Sequence, residues 1–592
     1  MAHHLSLAPS PNIRSLAGKH VLDNYISGHA PIFDLPLPVR AHSEPYTANL
    51  NGTIGILGAG VSGLYTAMLL DSLNVSYEII EANPTRVGGR LFTYRFNGEA
   101  GRKAPVNDPA RYDHIDIGAM RFPRIDFMAR LFDLFKRLDM NKDGLLVEYK
   151  FSANNTFELF NGIRRNTADL TPRDTDPFKI SQNRGGAVPD AWVAQGIDSI
   201  TSGIYSPYTD AFRKDFATGW TLVSAQDHFS VRGYLLSQGL PESVVEWLET
   251  FQTGTGMYDQ AFVESVFDAI DFASPAPVQI PGTAKDDPEN YAWVCVDGGS
   301  DRISERMVGR IAKKPKLGRR VTKIESAKNG MEVISTLPLG ALSAIDFPNP
   351  SDLAYNMRVA IRALNYESST KVALRFERRW WEDPDIMGHG RTIHGGISST
   401  DLPIRTCVYP SYGFNATGAL PGVLLASYTW AQDARRLGGL APQKGSAAYE
   451  QLIDLVLDNL ASLHGIPRGE MGKLVDSYVL DWHADPLARG TFGLFGPGQF
   501  GGSGNQGGHS LFASIKAPAA RGRLHFAGEA TSVHHGWVLA SLNSAWRAVY
   551  QAVGGMPDGQ RKRAVLVQEW GVPDEEEEDQ LVKLAVLAKA LA

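Results

Sequence analysis

The run Thr53-Ile-Gly-Ile-Leu57, followed at once by Gly58-Ala59-Gly60-Val-Ser62-Gly63, constrains this chain more than any other feature. A short apolar, β-branched run is what a strand buried on both faces shows. Next comes LYTAMLLDSL, apolar on all sides as in a buried helix, and then VSYEII (75–80), which reads as a second strand. Strand, glycine turn, helix, strand make one βαβ unit. In that setting Gly58 permits the tight turn, Gly60 lets backbone approach a pyrophosphate, and Gly63 allows close helix–strand packing. The helix start offers unpaired N–H groups and a partial positive charge to phosphates. Glu81, at the end of the second strand, can accept both ribose hydroxyls, and its charge disfavours a 2′-phosphate.

This pattern does not separate FAD from NAD. Two other segments point to an extended flavin dinucleotide. Arg86-Val-Gly88-Gly89-Arg90 follows EANPT directly. Its two glycines let a loop lie against the cofactor, and Arg90 can neutralise pyrophosphate charge. Far along the chain, His525-Phe-Ala-Gly528-Glu529 reads as a strand ending in glycine and a carboxylate. A helix starting near Gly536 would aim its N-terminus at a ligand, and a reduced flavin carries negative charge that such a terminus stabilises.

The 592 residues allow about four domains or two large interleaved ones, at roughly 150 residues each. A composition of 43% hydrophobic and 21% charged residues supplies a large core and excludes a predominantly disordered chain. Net charge is −6, so no general basic field exists for nucleic acid. Two cysteines, Cys295 and Cys407, cannot build a thiolate metal site or a disulfide framework, and no metal is expected. No run of about 18 apolar residues is present, so no membrane span is expected. No secretory leader is recognisable, which makes an intracellular, cytoplasmic location the expectation.

The expected fold is α/β: a discontinuous Rossmann-type FAD-binding domain, a mixed-sheet substrate domain and a helical insertion. Residues 1–50 read as an extended arm and 51–125 as the first part of the FAD domain. Residues 126–290 read as a helical substrate region. Residues 291–345, with strand-like VCVDGGSDRI, RRVTKI and MEVIST, form the second FAD part. Alternation in TKVALRF and GVLLASYTW makes 346–490 an antiparallel substrate sheet. Residues 491–555 close the FAD domain. The tail, 556–592, carries the acidic run 574–579, expected to be solvated, and LVKLAVLAKALA, expected as a surface helix.

GILGAGVSGLYTAMLL, EANPTRVGGRL, DIGAMRFP, STKVALRFERRWWED and FAGEATSVHHGW together resemble the flavin amine oxidases, and within them the L-amino-acid oxidases. The resemblance runs from about residue 52 to 553. It implies FAD contacts from Gly58, Ala59, Gly60, Ser62, Gly63, Glu81, Ala82, Gly88, Gly89, Arg90, Gly118, Ala119, Met120, Arg121, Val321, Gly528, Glu529, Gly536, Trp537 and Val538. It implies that Arg121 binds the substrate carboxylate, a role suited to a planar guanidinium. It makes Tyr409 the second carboxylate ligand, Lys371 the holder of a catalytic water, and Gly536, Trp537 and Trp482 parts of the substrate site. A histidine base that some relatives carry is replaced by Phe267-Asp268, leaving Asp268 or His228 as substitutes. The hairpin between Glu325 and Val333 is shorter than the family suggests.

The implied reaction is oxidative deamination. Hydride passes from the Cα of an L-amino acid to flavin N5, and oxygen then gives hydrogen peroxide, with an α-keto acid and ammonia as products. Three alternatives stand beside it: an amine or polyamine oxidase, a flavin amino-acid monooxygenase, and an FAD-bound scaffold or sensor. Family members often form dimers, so a homodimer is a further expectation of the resemblance. Side-chain preference is not readable.

Overall fold

The computed structural model describes residues 12–29, 52–169, 174–272, 290–326, 331–501 and 510–591. The strands that frame the site are, in chain order, β1 (Ile54–Leu57), β2 (Tyr77–Ile80), β3 (Phe157–Phe160), β4 (Ile163–Asn166), β5 (Val333–Ser335), β6 (Ser369–Phe376), β7 (Ile397–Thr400), β8 (Thr406–Val408), β9 (Gly422–Trp430), β10 (Leu474–Asp481) and β11 (Leu524–Phe526). Five helices matter to it: α1 (Ile13–Gly28), α2 (Val61–Ser72), α3 (Phe262–Phe272), α4 (Val538–Val553) and α5 (Glu578–Leu591).

β11, β5, β1 and β2 lie side by side, in that order, as a parallel sheet. Every residue of β1 is buried, which is why its sequence is uniformly apolar rather than alternating. α2 returns the chain from β1 to β2 and packs against α4 on the far side. Both helices are therefore covered on most of their circumference; α2 is apolar nearly all round, and α4 buries a polar stripe of Asn543, Arg547 and Gln551. Sequence-remote β5 and β11 complete the sheet, so the dinucleotide fold is discontinuous as expected.

The second sheet has seven strands in the order β10-β6-β9-β8-β7-β3-β4. Pairing is antiparallel except between β7 and β3, so the sheet is mixed. In the β6–β9 pair Lys371 stands opposite Tyr428. β3 and β4 come from the stretch read as helical, and Leu146–Glu148 joins Trp293–Val296 and Phe122–Pro123 in a three-stranded sheet. The region 126–290 is thus helices with strands inserted between them.

Four expectations are corrected. RRVTKI forms no strand; the segment makes only single bridges, such as Lys323 to Asp346. SDRI opens the helix Asp301–Arg310 rather than extending the strand before it. The described part of the N-terminal arm is a helix, α1, capped by the Asn12 side chain, which accepts from the Ser15 N–H at 2.9 Å. Its buried face is Arg14, Ser15, Ala17, Gly18, Val21, Leu22, Tyr25 and Ile26. The helical spacing is there, but polar and small residues carry half of it. The acidic run is solvated only in part, at Asp574, Glu577, Glu578 and Asp579. The Glu575 and Glu576 side chains are fully buried, and Leu581, Leu584 and Leu587 of α5 lie in the main core. The rest of the arm and the short hairpin at 327–330 lie outside the described residues. No helix among the described residues is long and apolar enough to cross a membrane.

Candidate active site

A cavity of about 590 Å³ runs from the β1–α2 turn to the β6–β9 pair. That is within the usual range for a cofactor or ligand site. At one end Gly58, Gly60 and Ser62 line it. Gly58 has φ +98°, a conformation glycine adopts without cost. A Cβ on Gly63 would sit 2.0 Å from the Gly58 carbonyl oxygen, so only glycine permits this strand and helix to meet. No side chain caps the start of α2, so its first N–H groups face the cavity unpaired by any cap. Glu81 accepts the N–H of Ala59 and the N–H of Asn83, both at 2.7 Å. Those bonds aim the carboxylate and leave lone pairs over for hydroxyl donors. Ala82, Gly88, Gly89 and Val321 line the same end.

Mid-cavity, Arg90 and Glu529 form an ion pair at 2.9 Å. Arg90 also donates to the Thr491 carbonyl, and Glu529 accepts the N–H groups of Gly493 and Gly536. This pair ties the two remote motifs of the dinucleotide site together. Gly528, Glu529, Gly536, Trp537 and Val538 all line the cavity, and α4 begins at Val538. Gly118 and Ala119 face them; a Cβ on Gly118 would fall 1.8 Å from the Arg90 carbonyl oxygen.

The far end is built around Lys371. The side chain is buried, and Nζ donates to the carbonyls of Gly118 (2.8 Å) and Asp116 (3.1 Å). Met120 Sδ lies 3.6 Å away, and Nζ sits 4.5 Å from the centre of the Tyr428 ring. Burial pulls its pKa from 10.5 down to about 7; Asp116 opposes the shift and Arg121 adds to it. Asp116, also desolvated, is pushed up to about 6, although Thr93 and Ser300 donate to it. Trp482 lines this end, with Nε1 donating to the Ile117 carbonyl at 3.1 Å.

Arg121 stands beside this end rather than in its wall. Its guanidinium carbon is 4.8 Å from the Phe151 ring centre, 5.8 Å from Tyr149 and 5.9 Å from Trp293. Trp293 in turn contacts Trp537. Among the described residues no carboxylate pairs with Arg121. Its field is felt at Tyr428, where burial raises the phenol pKa and Arg121 works against it.

The structure therefore brings together Lys371, Arg121, Trp482, Gly536 and Trp537, but not Tyr409. The Tyr409 hydroxyl bonds Ser398 Oγ at 2.8 Å and His464 Nε2 at 2.5 Å, inside the separate core of the substrate sheet. Tyr428, opposite Lys371, is the tyrosine that lines the cavity. It was visible in the sequence only as one alternating position of β9. Of the substitute bases, Asp268 is paired with Arg14 and His228 is exposed beside Phe229; neither lines the cavity. Among the described residues no group of three or more metal-ligating side chains occurs.

The free α2 start, the close-packed glycines, Glu81 and the cavity length fit an extended dinucleotide. Comparison with known proteins agrees. The model of the flavin containing amine oxidoreductase family matches residues 61–553. The chain is 38% identical, over 611 aligned positions, to a Dictyostelium discoideum protein provisionally named a bifunctional amine oxidase. That alignment covers 97% of this chain and 53% of the relative, so the chain spans about half its length. It is 37% identical to L-amino-acid oxidase 4 of Hebeloma cylindrosporum, covering 84% of this chain and 81% of that protein. Among solved structures, cyclohexylamine oxidase from Brevibacterium oxydans superposes with a TM-score of 0.58 at 18% identity, covering 88% and 99% of the two chains. At that identity the likeness is one of fold.

Proposed function

Since the chain belongs to the flavin-containing amine oxidoreductases, we propose that it oxidatively deaminates L-amino acids, yielding α-keto acid, ammonia and hydrogen peroxide. FAD, held by the β1–α2 turn, Glu81, Arg90 and the Gly536–Val538 segment, would supply the hydride acceptor and the route of the electrons to oxygen. The observation that carries the substrate reading is Arg121. A half-buried guanidinium, set among three aromatic rings and without a carboxylate partner among the described residues, is a receptor for a carboxylate. A simple amine has no group for it.

The chain's own residues mainly place the substrate. Arg121 takes the carboxylate, and Tyr428, which lines the cavity opposite Lys371, offers a second hydrogen bond to it. Trp537 and Trp482 bound the cavity and keep bulk water from the reacting carbon. Hydride departure needs a neutral amine, and Lys371 Nζ exchanges protons near neutral pH because burial brings its pKa to about 7. The 37% identical relative named an L-amino-acid oxidase supports the same reading.

The test is peroxide release from purified protein with the twenty L-amino acids, their D-forms and a panel of simple amines. Turnover of L-amino acids is expected. Turnover of amines alone would overturn the reading and make Arg121 structural.

A further inference from the structure

Loop 532–537 delivers Gly536 and Trp537 to the cavity and leads into α4, yet neither it nor the flavin motif explains what holds it there. Both ends of the chain do. From the N-terminal side, α1 lies on the loop. Arg14 Nη1 donates to the Val533 carbonyl at 3.1 Å and pairs with Glu264 Oε2 at 3.2 Å. Glu264 Oε1 accepts from His535 Nδ1 at 2.8 Å. Ser15 Oγ bonds His534 Nε2 at 3.0 Å. A Cβ on Gly18 would fall 2.5 Å from Val533 Cγ1, so α1 touches the loop as closely as glycine allows.

From the C-terminal side, the buried Glu575 accepts the Val533 N–H at 3.1 Å, the Ser532 hydroxyl, and Asn543 Nδ2 of α4 at 3.0 Å. The two ends also hold each other. Gln580 Nε2 donates to the Lys19 carbonyl at 3.2 Å, and Lys19 pairs with Glu577.

We propose that α1 and the acidic tail form one clamp, with Glu264 and Glu575 as positioning residues that set loop 532–537 and thereby the flavin-facing start of α4. A charge buried for stability alone need not end on this loop. Here two carboxylates from sequence-remote elements, together with the Ser15 hydroxyl, converge on four consecutive residues, Ser532 to His535, immediately before two cavity residues. Arg14 keeps Asp268 and Asp271 without Glu264, so the Glu264 contact to the loop is additional to charge compensation. Glu575 does both jobs: it shares the compensation of Lys516 with Glu576, the residue that pairs with Arg547, and it also bonds the loop.

Neighbouring buried carboxylates supply the controls. Asp271 pairs with Arg14 Nε at 2.8 Å and is as buried as Glu264, but it makes no bond to loop 532–537. Glu576 is as buried as Glu575 and pairs with Lys516 and Arg547, again with no bond to the loop. Four variants, Glu264→Gln, Glu575→Gln, Asp271→Asn and Glu576→Gln, are made in the full chain. For each, the Kd of the apoprotein for FAD is measured by flavin fluorescence, together with the visible flavin spectrum of the reconstituted protein and the Tm.

The expectation is that Glu264→Gln and Glu575→Gln weaken FAD binding by about tenfold, as loss of one buried charged hydrogen bond does, and alter the flavin spectrum. Asp271→Asn and Glu576→Gln should lower Tm to a similar degree while leaving FAD affinity and spectrum as in the parent. Equal effects from all four variants, or unchanged FAD affinity in the first two, would make the clamp merely structural. If Glu575→Gln does not fold, Ser532→Ala removes the hydroxyl contact to Glu575 from the loop side and should weaken FAD binding in the same direction. None of these readouts uses an amino acid, so their outcome is independent of the substrate reading above.

Discussion

Replacing Lys371 with methionine tests the reasoning about its burial quantitatively. The ordinary lysine pKa of 10.5 falls to about 7 in the folded protein, with desolvation as the main cause. Between these values the unfolded chain binds a proton that the folded protein does not. Stability therefore rises with pH across the window, and this contribution is lost as pH falls toward 7. At about 1.4 kcal/mol per pH unit, charging Lys371 burdens the fold by ~4 kcal/mol at pH 7 and ~2 kcal/mol at pH 9. Methionine keeps the length and apolar stem but has no proton to bind. The stability difference, parent minus Lys371→Met, should accordingly rise by ~2 kcal/mol from pH 7 to pH 9. The window begins at pH 7 because Lys371 is one of the charges holding Asp116 down, and Asp116 titrates near 6. Urea unfolding of both proteins at four pH values, followed by tryptophan fluorescence, measures the difference directly. A difference independent of pH would mean that Lys371 titrates at its ordinary value in the folded protein. The desolvated site, and its proton exchange near neutrality, would then be refuted.

Arg121→Met should lower kcat/KM for L-amino acids by about a hundredfold, the worth of a charged hydrogen-bonded pair, with FAD content unchanged; steady-state peroxide assays with flavin absorbance check both. Tyr428→Phe should raise KM several-fold at unchanged Tm. Tyr409→Phe should do the reverse, lowering Tm by leaving His464 and Ser398 short of a partner while KM stays constant. Gly63→Ala drives a methyl into the Gly58 carbonyl, and the purified protein should be colourless; a yellow variant with parental FAD content would contradict the close-packing argument.

The dinucleotide motif is legible in this chain because its signals are local. Gly58 takes a positive φ and Gly63 packs on the Gly58 carbonyl five residues back, so both requirements are written within the motif itself. The strand character of β1 and the helical character of α2 reinforce the same reading. Glu81 likewise acts on Ala59 and Asn83, both close in the motif. Lys371 was legible for a different reason. An ammonium in an otherwise apolar strand is costly, so its presence alone signals a use.

What the sequence leaves unmarked depends on partners the one-dimensional pattern does not carry. Tyr409 and Tyr428 are both strand tyrosines of the same sheet, and either satisfies the chemistry of a carboxylate ligand. Only the β6–β9 register, which sets Tyr428 opposite Lys371, separates them. The acidic tail fails more instructively. Four glutamates between two aspartates look solvated because a buried carboxylate without a partner is prohibitive. Two of them, Glu575 and Glu576, are nevertheless buried; their partners Lys516 and Arg547 stand on other elements, and Lys516 gives no sign of its burial in its immediate sequence. Arg14 on α1 is the same case in reverse, a charge whose three acids all lie on α3. In each instance the sequence places both signs of charge on the chain and leaves unmarked which ones meet. Runs of like charge at the ends of a chain are thus readable as solvated only when no buried counter-charge is available in the core they can reach.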